Sequence, residues 1–227
     1  MDVVLIAGLW LDASAWAAVA PALEGLGHHP VALTLPGQGD GDTSATLDDQ
    51  LRAVVGAVDA APGPTLVVGH SAAATLAWMA ADARPDKVAR VVMIGGFPSG
   101  NGDAYNDSFP VVDGAIPFPG WDAFETSDVA DLDEAHRSAI EARVVAVPET
   151  VAKGVVHLGD ERRFDVPVTV VCPEFSPAQA REWIDCGALP ELRRARRVEF
   201  ADIDSGHWPM FSRPVELAEL LGDAADT

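Results

Sequence analysis

Short, uninterrupted apolar runs alternate with longer segments of helical periodicity, and this alternation constrains the fold more than any other feature of the chain. Runs without polar alternation indicate strands that are buried on both faces, as in a parallel sheet covered by helices on each side. Six such runs are present, at residues 3–7, 31–35, 65–68, 88–94, 166–171 and 198–203. The sequence therefore predicts a doubly wound α/β fold with a mostly parallel, six-stranded sheet.

The segments between these runs carry helix signals. Apolar residues recur with i, i+3, i+4 spacing from Trp16 to Leu26, and Thr46 with Asp49 three residues later resembles a capping box that opens the next helix. Further helices are predicted over 72–83, 177–185 and 214–221, the last with proline in its first turn, where the missing N–H costs nothing.

The alternation stops between residues 97 and 165. This stretch contains five prolines, several glycines and two predicted helices, near 129–144 and 148–158. We interpret it as a small helical cap inserted after the fourth strand. The core is then formed by residues 1–96 and 166–227.

The charge balance limits the partners. The chain of 227 residues has a formal net charge of -20, so its surface repels nucleic acid and anionic membranes and weakly disfavours anionic substrates. A small-molecule substrate, and a second copy of the chain in a homodimer, are the partners that remain. The first residues lack the basic start and long apolar stretch of a signal peptide, and the two cysteines form no C-x-x-C pattern, which predicts a cytoplasmic protein.

One polar pair interrupts the point where the third apolar run becomes a helix. Ser71 lies in the sequence Gly69-His70-Ser71-Ala72-Ala73 and is the only serine of the chain with a glycine two residues earlier. Small residues two before and two after the serine are what a nucleophile elbow, G-x-S-x-G, requires, here with alanine in the last place. The context predicts a nucleophilic serine, whereas the alternative is a serine that caps the following helix.

A nucleophilic serine needs a base and a site for an oxyanion. His207 follows the last predicted strand, so its loop lies at the same edge of the sheet as Ser71. The backbone amides of Ala72, at a helix N-terminus, and of Leu9, in the loop after the first strand, are the predicted oxyanion donors.

These features resemble the α/β-hydrolase superfamily over nearly the whole chain, and within it the small esterase and hydroxynitrile-lyase-like branch. The resemblance rests on the loop 7–9, the loop "LPGQGD" after the second strand, the elbow at 69–73, the cap-sized insertion and the order serine, acid, histidine. Ala7 stands where relatives usually carry a histidine before the glycine.

The resemblance also implies where the acid of the triad lies. Relatives carry an aspartate in the turn after the strand that follows the cap, and the equivalent position here is Ser176. The nearest carboxylate is Glu174, which is the predicted acid. Asp103, after the preceding strand, and Asp204, three residues before His207, remain alternatives.

The resemblance implies a serine hydrolase that cleaves a small uncharged ester or related acyl compound, without a cofactor or a metal. A lyase of the hydroxynitrile type using the same three residues is the first alternative. That branch is expected to carry a lysine in the cap, where this chain has only Lys153. A non-catalytic protein that binds a small ligand on this fold is the second. The predicted substrate-binding residues, most of them aromatic, are Trp10, His70, Phe97, Trp121 and Trp208, and Phe124 is a further aromatic candidate.

Overall fold

The computed structural model describes residues 1–227, and its first part alternates strands and helices as predicted. In chain order the elements are β1 (Asp2–Ile6), α1 (Val19–Gly25), β2 (His29–Leu33), α2 (Leu47–Ala60), β3 (Thr65–His70), α3 (Ala73–Ala83) and β4 (Val88–Ile94). The capping box of Thr46 and Asp49 is present at the start of α2. The helix predicted from Trp16 begins later, because Asp12 caps a separate 3-10 turn, Ala13–Trp16, before it.

The segment from 97 to 165, which we call the cap segment, adds no strand to the main sheet. It contains β5 (Ala115–Ile116), α4 (Thr126–Val129), α5 (Glu134–Glu141), β6 (Val147–Pro148) and α6 (Glu149–Ala152), with β5 and β6 paired antiparallel. The helix predicted over 129–144 is divided, because Asp133 accepts a hydrogen bond from the His136 N–H and starts a new helix. The helix predicted over 148–158 is a single turn that ends before Gly154.

The last part returns to the alternation. It comprises β7 (Val168–Cys172), α7 (Pro177–Asp185), α8 (Pro190–Arg194), β8 (Val198–Asp202), α9 (Pro209–Ser212) and α10 (Pro214–Asp226). The sequence reasoning missed α8 and α9, two short helices that each begin with proline in the first turn. Both cysteines are free; Cys172 is buried and Cys186 is exposed.

The six long strands form one parallel sheet in the order β2-β1-β3-β4-β7-β8, which confirms the predicted fold class. Its two faces are covered by separate clusters of 35 and 24 buried residues. The chain leaves β1 toward one edge of the sheet and leaves β3 toward the other, so the loops after these two strands diverge. A crevice at such a switch point is where ligands bind in open α/β sheets. None of the helices combines the length and the apolar composition that a membrane span requires.

Candidate active site

Ser71 occupies a tight turn between β3 and α3. Its φ of +55° is left-handed, a conformation that costs a non-glycine residue about 1–3 kcal/mol and persists only where the surroundings enforce it. Close backbone contacts do so here: a Cβ on Gly69 would lie 2.2 Å from the Ala73 carbonyl oxygen, and one on Gly96 would lie 2.3 Å from that of Ser71. Sequence reasoning identified Gly69 but not Gly96, whose contact with Ser71 is not local in the chain.

The structure brings Ser71, His207 and Glu174 into one hydrogen-bonded chain. His207 Nε2 lies 2.9 Å from Ser71 Oγ, and His207 Nδ1 lies 2.8 Å from Glu174 Oε1. A carboxylate only accepts, so Nδ1–H donates to Glu174 and Nε2 is left to accept the hydroxyl proton of Ser71. This arrangement can remove a proton from the serine hydroxyl.

Glu174 lies in the turn between β7 and α7, two residues before the position that the family pattern predicts for the acid. That position, Ser176, instead caps α7 and accepts a hydrogen bond from the Gln179 N–H. The alternatives are elsewhere: Asp103 is exposed and accepts from the Gly100 N–H in its own loop, and Asp204 is exposed. Of the three candidate carboxylates, only that of Glu174 contacts His207.

His70 is buried beside the serine and contacts the backbone of the histidine loop. Its Nε2–H donates to the His207 carbonyl oxygen at 2.8 Å. Burial, together with the nearby charge of His207, lowers the pKa of His70 to about 3, so its ring is neutral at neutral pH. Although His70 was predicted as a substrate-binding residue and does line the cavity, its hydrogen bond is made to the loop that carries His207.

The amides of Leu9 and Ala72 flank Ser71, and neither donates a hydrogen bond to an acceptor within the chain. Ala72 immediately precedes α3, and Leu9 follows Gly8 in the loop after β1. A Cβ on Gly8 would lie 3.0 Å from both Ser71 Cβ and His70 Nδ1, so the lack of a side chain lets this loop lie close to the serine turn. Two free donors therefore lie beside the serine.

A cavity of about 430 Å³ opens over Ser71 and contains no lysine or arginine. Its apolar wall is largely aromatic and is formed by Trp10, Phe97, Phe109, Phe124 and Trp208, with Tyr105 buried beside them. Sequence reasoning had not selected Phe109 or Tyr105, because nothing local marks a residue of the cap segment as facing the sheet.

The prediction for Trp121 is wrong: its ring does not line this cavity. A 3-10 turn, Trp121–Ala123, places it behind the wall, where its ring centre lies 5.3 Å from that of Trp208 and 5.1 Å from that of Phe118. Trp121 therefore supports the wall from outside.

The cap segment contacts both loops of the site. The carbonyl oxygen of Asp128, in α4, accepts the His207 N–H at 2.8 Å, and a Cβ on Gly206 would lie 2.2 Å from that same oxygen. On the other side, the indole N–H of Trp10 donates to the Ile116 carbonyl. The backbone carbonyl of Trp10 accepts a hydrogen bond from the Val145 N–H. The cap segment is thus hydrogen-bonded directly to the loops that carry His207 and Leu9.

Comparison with known proteins agrees with this geometry. A model of the alpha/beta hydrolase family matches residues 3–220. Methylesterase 7 of Arabidopsis thaliana is 26% identical over an alignment 254 residues long. The alignment covers 98% of this chain and 95% of that protein. Among solved structures, an extracellular alpha/beta-hydrolase from a Paenibacillus species superposes with a TM-score of 0.81 at 20% identity, over 99% of this chain and 98% of that one. A pyrethroid hydrolase from Sphingobium faniae superposes with a TM-score of 0.78 at 21% identity, over 100% and 98%. Because the family match runs from β1 into α10, this chain belongs to the alpha/beta hydrolase family and is a hydrolase.

Proposed function

We propose that this protein is a carboxylic ester hydrolase that cleaves small, uncharged esters through a catalytic triad of Ser71, His207 and Glu174. The observation that carries the proposal is the continuous hydrogen-bonded chain from Ser71 Oγ through His207 to Glu174, which faces a cavity whose apolar wall is largely aromatic. The left-handed backbone of Ser71 at the end of β3 gives that serine the geometry of a nucleophile elbow.

Each side chain of the triad has a role in acyl transfer. Ser71 Oγ attacks the ester carbonyl while its proton passes to His207 Nε2, and the amides of Leu9 and Ala72 bind the oxyanion that forms. His207 then protonates the departing alcohol, leaving an acyl-serine. Water attacks this ester with His207 again as base, which releases the acid and restores the serine. Glu174 keeps the imidazole in the required tautomer and stabilises its protonated form.

The walls of the cavity support the substrate class. Aromatic side chains favour apolar acyl or alcohol groups, and no cation is present to pair with an anionic substrate. Asp128 at the cavity, together with the net charge of -20, repels carboxylates. The relatives that act on esters, a methylesterase and a pyrethroid hydrolase, are consistent with this choice.

The lyase alternative lacks its expected lysine. Lys153 Nζ is bound to Asp107 Oδ1 at 2.7 Å and does not line the cavity, so no cationic side chain reaches the substrate. A purely binding role leaves the Ser71–His207–Glu174 chain without a purpose. The ester hydrolase is therefore the function that uses the most of what the site contains.

Ser71→Ala provides the direct test. The variant should fold normally, lose nearly all hydrolysis of a panel of p-nitrophenyl esters, and lose labelling by a fluorophosphonate, because no other hydroxyl is paired with a base in the cavity. Ser99→Ala is the matched control, since Ser99 lines the same cavity without contacting a histidine. Stoichiometric labelling that persists in Ser71→Ala would refute the assignment. A burst of alcohol release before the steady state separates an acyl-enzyme hydrolase from a lyase.

A further inference from the structure

Gln38 is a fully buried amide in the loop after β2, and its side chain is aimed at the loop after β1. Its Nε2 donates to two carbonyl oxygens of that loop, those of Gly8 at 2.9 Å and Leu11 at 3.0 Å. Its Oε1 accepts a hydrogen bond from Gln50 Nε2 at 3.0 Å, and Gln50 also donates to the Pro36 carbonyl. Both hydrogens and the oxygen of the Gln38 amide are therefore used, which fixes its orientation.

The bond to Gly8 acts on the peptide unit that contains the Leu9 amide. A trans peptide is planar, with its C=O and N–H pointing in opposite directions, and the chain has no cis peptide bonds. Whatever holds the Gly8 carbonyl therefore also sets the direction of the Leu9 N–H. That N–H has no acceptor in the chain, and Leu9 lines the same cavity as Ser71, so the bond from Gln38 sets the direction of a free donor at the cavity.

The backbone alone holds this peptide weakly. The turn's own bond, from the Leu11 N–H to the Gly8 carbonyl, is 3.4 Å long, against 2.9 Å for the bond from Gln38. Glycine at position 8 permits the close approach to Ser71 and brings the widest backbone freedom of any residue. A side chain from another loop is thus the stronger restraint on the orientation of this peptide.

We propose that Gln38 is a positioning residue of the oxyanion site: it orients the peptide between Gly8 and Leu9, so that the Leu9 amide is preorganised for the tetrahedral intermediate. The inference rests on the proposed acyl-transfer function. A donor that is set in place before the reaction stabilises the charge that develops in the transition state more than it stabilises the neutral ester. Loss of Gln38 therefore lowers kcat and leaves KM nearly unchanged.

Gln38→Met tests this, because methionine has a similar length and no donor. We expect kcat to fall about 10- to 100-fold, somewhat less than the 10²–10³ that follows complete removal of an oxyanion donor, while KM changes by less than about twofold. An alkyl boronic acid is the second probe. Its boron accepts the lone pair of Ser71 Oγ while the hydroxyl proton passes to His207, so that a hydroxyl oxygen of the anionic tetrahedral boronate occupies the oxyanion position. Its inhibition constant should rise by about the same factor as kcat falls.

Comparison with a neutral ligand separates positioning from loss of folding. Partial unfolding lowers the fraction of protein that can bind and weakens the apparent binding of every ligand by the same factor. The ratio of the inhibition constant of the boronic acid to that of the alcohol product is therefore independent of the folded fraction. This ratio should rise at least tenfold in Gln38→Met. It should stay at the wild-type value in Thr169→Val, which removes a buried hydroxyl bonded to Arg90 outside the site.

If Gln38→Met yields no folded protein, Gln38→Glu replaces it, since it keeps the shape and the bond from Gln50. Once ionised at high pH, this carboxylate cannot donate to either carbonyl, so the same rise in the ratio is expected there. A wild-type ratio in a folded variant, with Ser71→Ala inactive, overturns the role of Gln38 alone. Full activity of Ser71→Ala would instead overturn the proposed function.

Discussion

The two sides of the candidate site are held in different ways. The serine side is a backbone structure: Ser71 is kept in a left-handed conformation by main-chain contacts so close that Gly69 and Gly96 have no room for a Cβ. The histidine side is mainly a network of hydrogen bonds, because His207 is bound by Glu174, by His70 and by the carbonyl of Asp128 in the cap segment. The close contacts at Gly69 and Gly96 leave no space for an added methyl group. In the hydrogen-bond network around His207, by contrast, a substitution can remove one bond and leave the others in place.

The two sides of the site depend on different parts of the fold. The turn at Ser71 depends on β3, α3 and the end of β4, which belong to the core of the sheet. The loop at His207 also depends on the cap segment, because the Asp128 carbonyl accepts its backbone N–H. A displacement of the cap segment would therefore act directly on the loop that carries the base.

The largest effect is expected on the histidine side, from Glu174→Gln. The amide keeps the shape but can donate to Nδ1, which favours the imidazole tautomer that cannot accept the serine proton. We expect kcat to fall by about 10²–10⁴ at neutral pH, as measured with the ester that the wild type hydrolyses fastest.

Asp103→Asn and Asp204→Asn are the matched controls, because both carboxylates are exposed and neither contacts His207. Each should stay within about threefold of the wild type. Wild-type turnover in Glu174→Gln together with a collapse in Asp103→Asn would assign the acid to the earlier strand.

A smaller effect, on stability, is expected on the serine side from Gly96→Ala. The added methyl group would lie 2.3 Å from the Ser71 carbonyl oxygen, so β4 and the serine turn must separate. We expect a loss of about 2–3 kcal/mol in the free energy of unfolding, measured with urea, together with a fall in kcat.

Gly56→Ala is the control for this glycine. Gly56 lies on the exposed face of α2, and nothing is within 4 Å of its added Cβ. That substitution should raise stability by about 0.5–1 kcal/mol and leave kcat unchanged. Equal stabilities of the two variants would show that the serine turn is not held by close contact.

The same contrast explains what the sequence could predict. Ser71 is recognisable because the pattern of its turn lies within five residues. His207 is recognisable because it follows the last predicted strand. Gly96 carries no such mark, and Gln38 lies in a loop whose sequence indicates the family but not the role of the side chain, since each acts on a residue that is distant in the chain.

The cap segment was the least predictable part. Its helices are short, and Asp133 begins a new helix where the apolar pattern suggested one continuous element. Trp121 was placed in the cavity on its aromatic character alone, whereas the fold of a single 3-10 turn puts it behind Trp208. Residue type indicates burial but not which side of a wall a ring occupies. Glu174 was found through its order in the chain, and the capping role of Ser176 accounts for its displacement.

The smallest expected effect is a pH dependence that belongs to His70 and links the two sides. Burial holds the pKa of His70 at about 3 in the folded protein, against about 6.5 for an unperturbed histidine. Between these values the unfolded chain binds a proton that the folded chain does not, so stability rises with pH there and is lost as pH falls below about 6.5. The slope is at most about 1.4 kcal/mol per pH unit. His70→Gln has no titrating group, and its amide nitrogen lies about as far from the backbone as His70 Nε2, so it keeps a donor for the His207 carbonyl. From pH 7 to pH 5 the wild type should therefore lose about 2 kcal/mol more unfolding free energy than this variant, as measured with urea at both pH values.

His157→Asn, at an exposed position of the cap segment, should follow the wild type. Parallel losses in wild type and His70→Gln would mean that the histidine beside Ser71 takes up a proton without unfolding, and that its bond to the His207 loop is not the rigid link between the two sides.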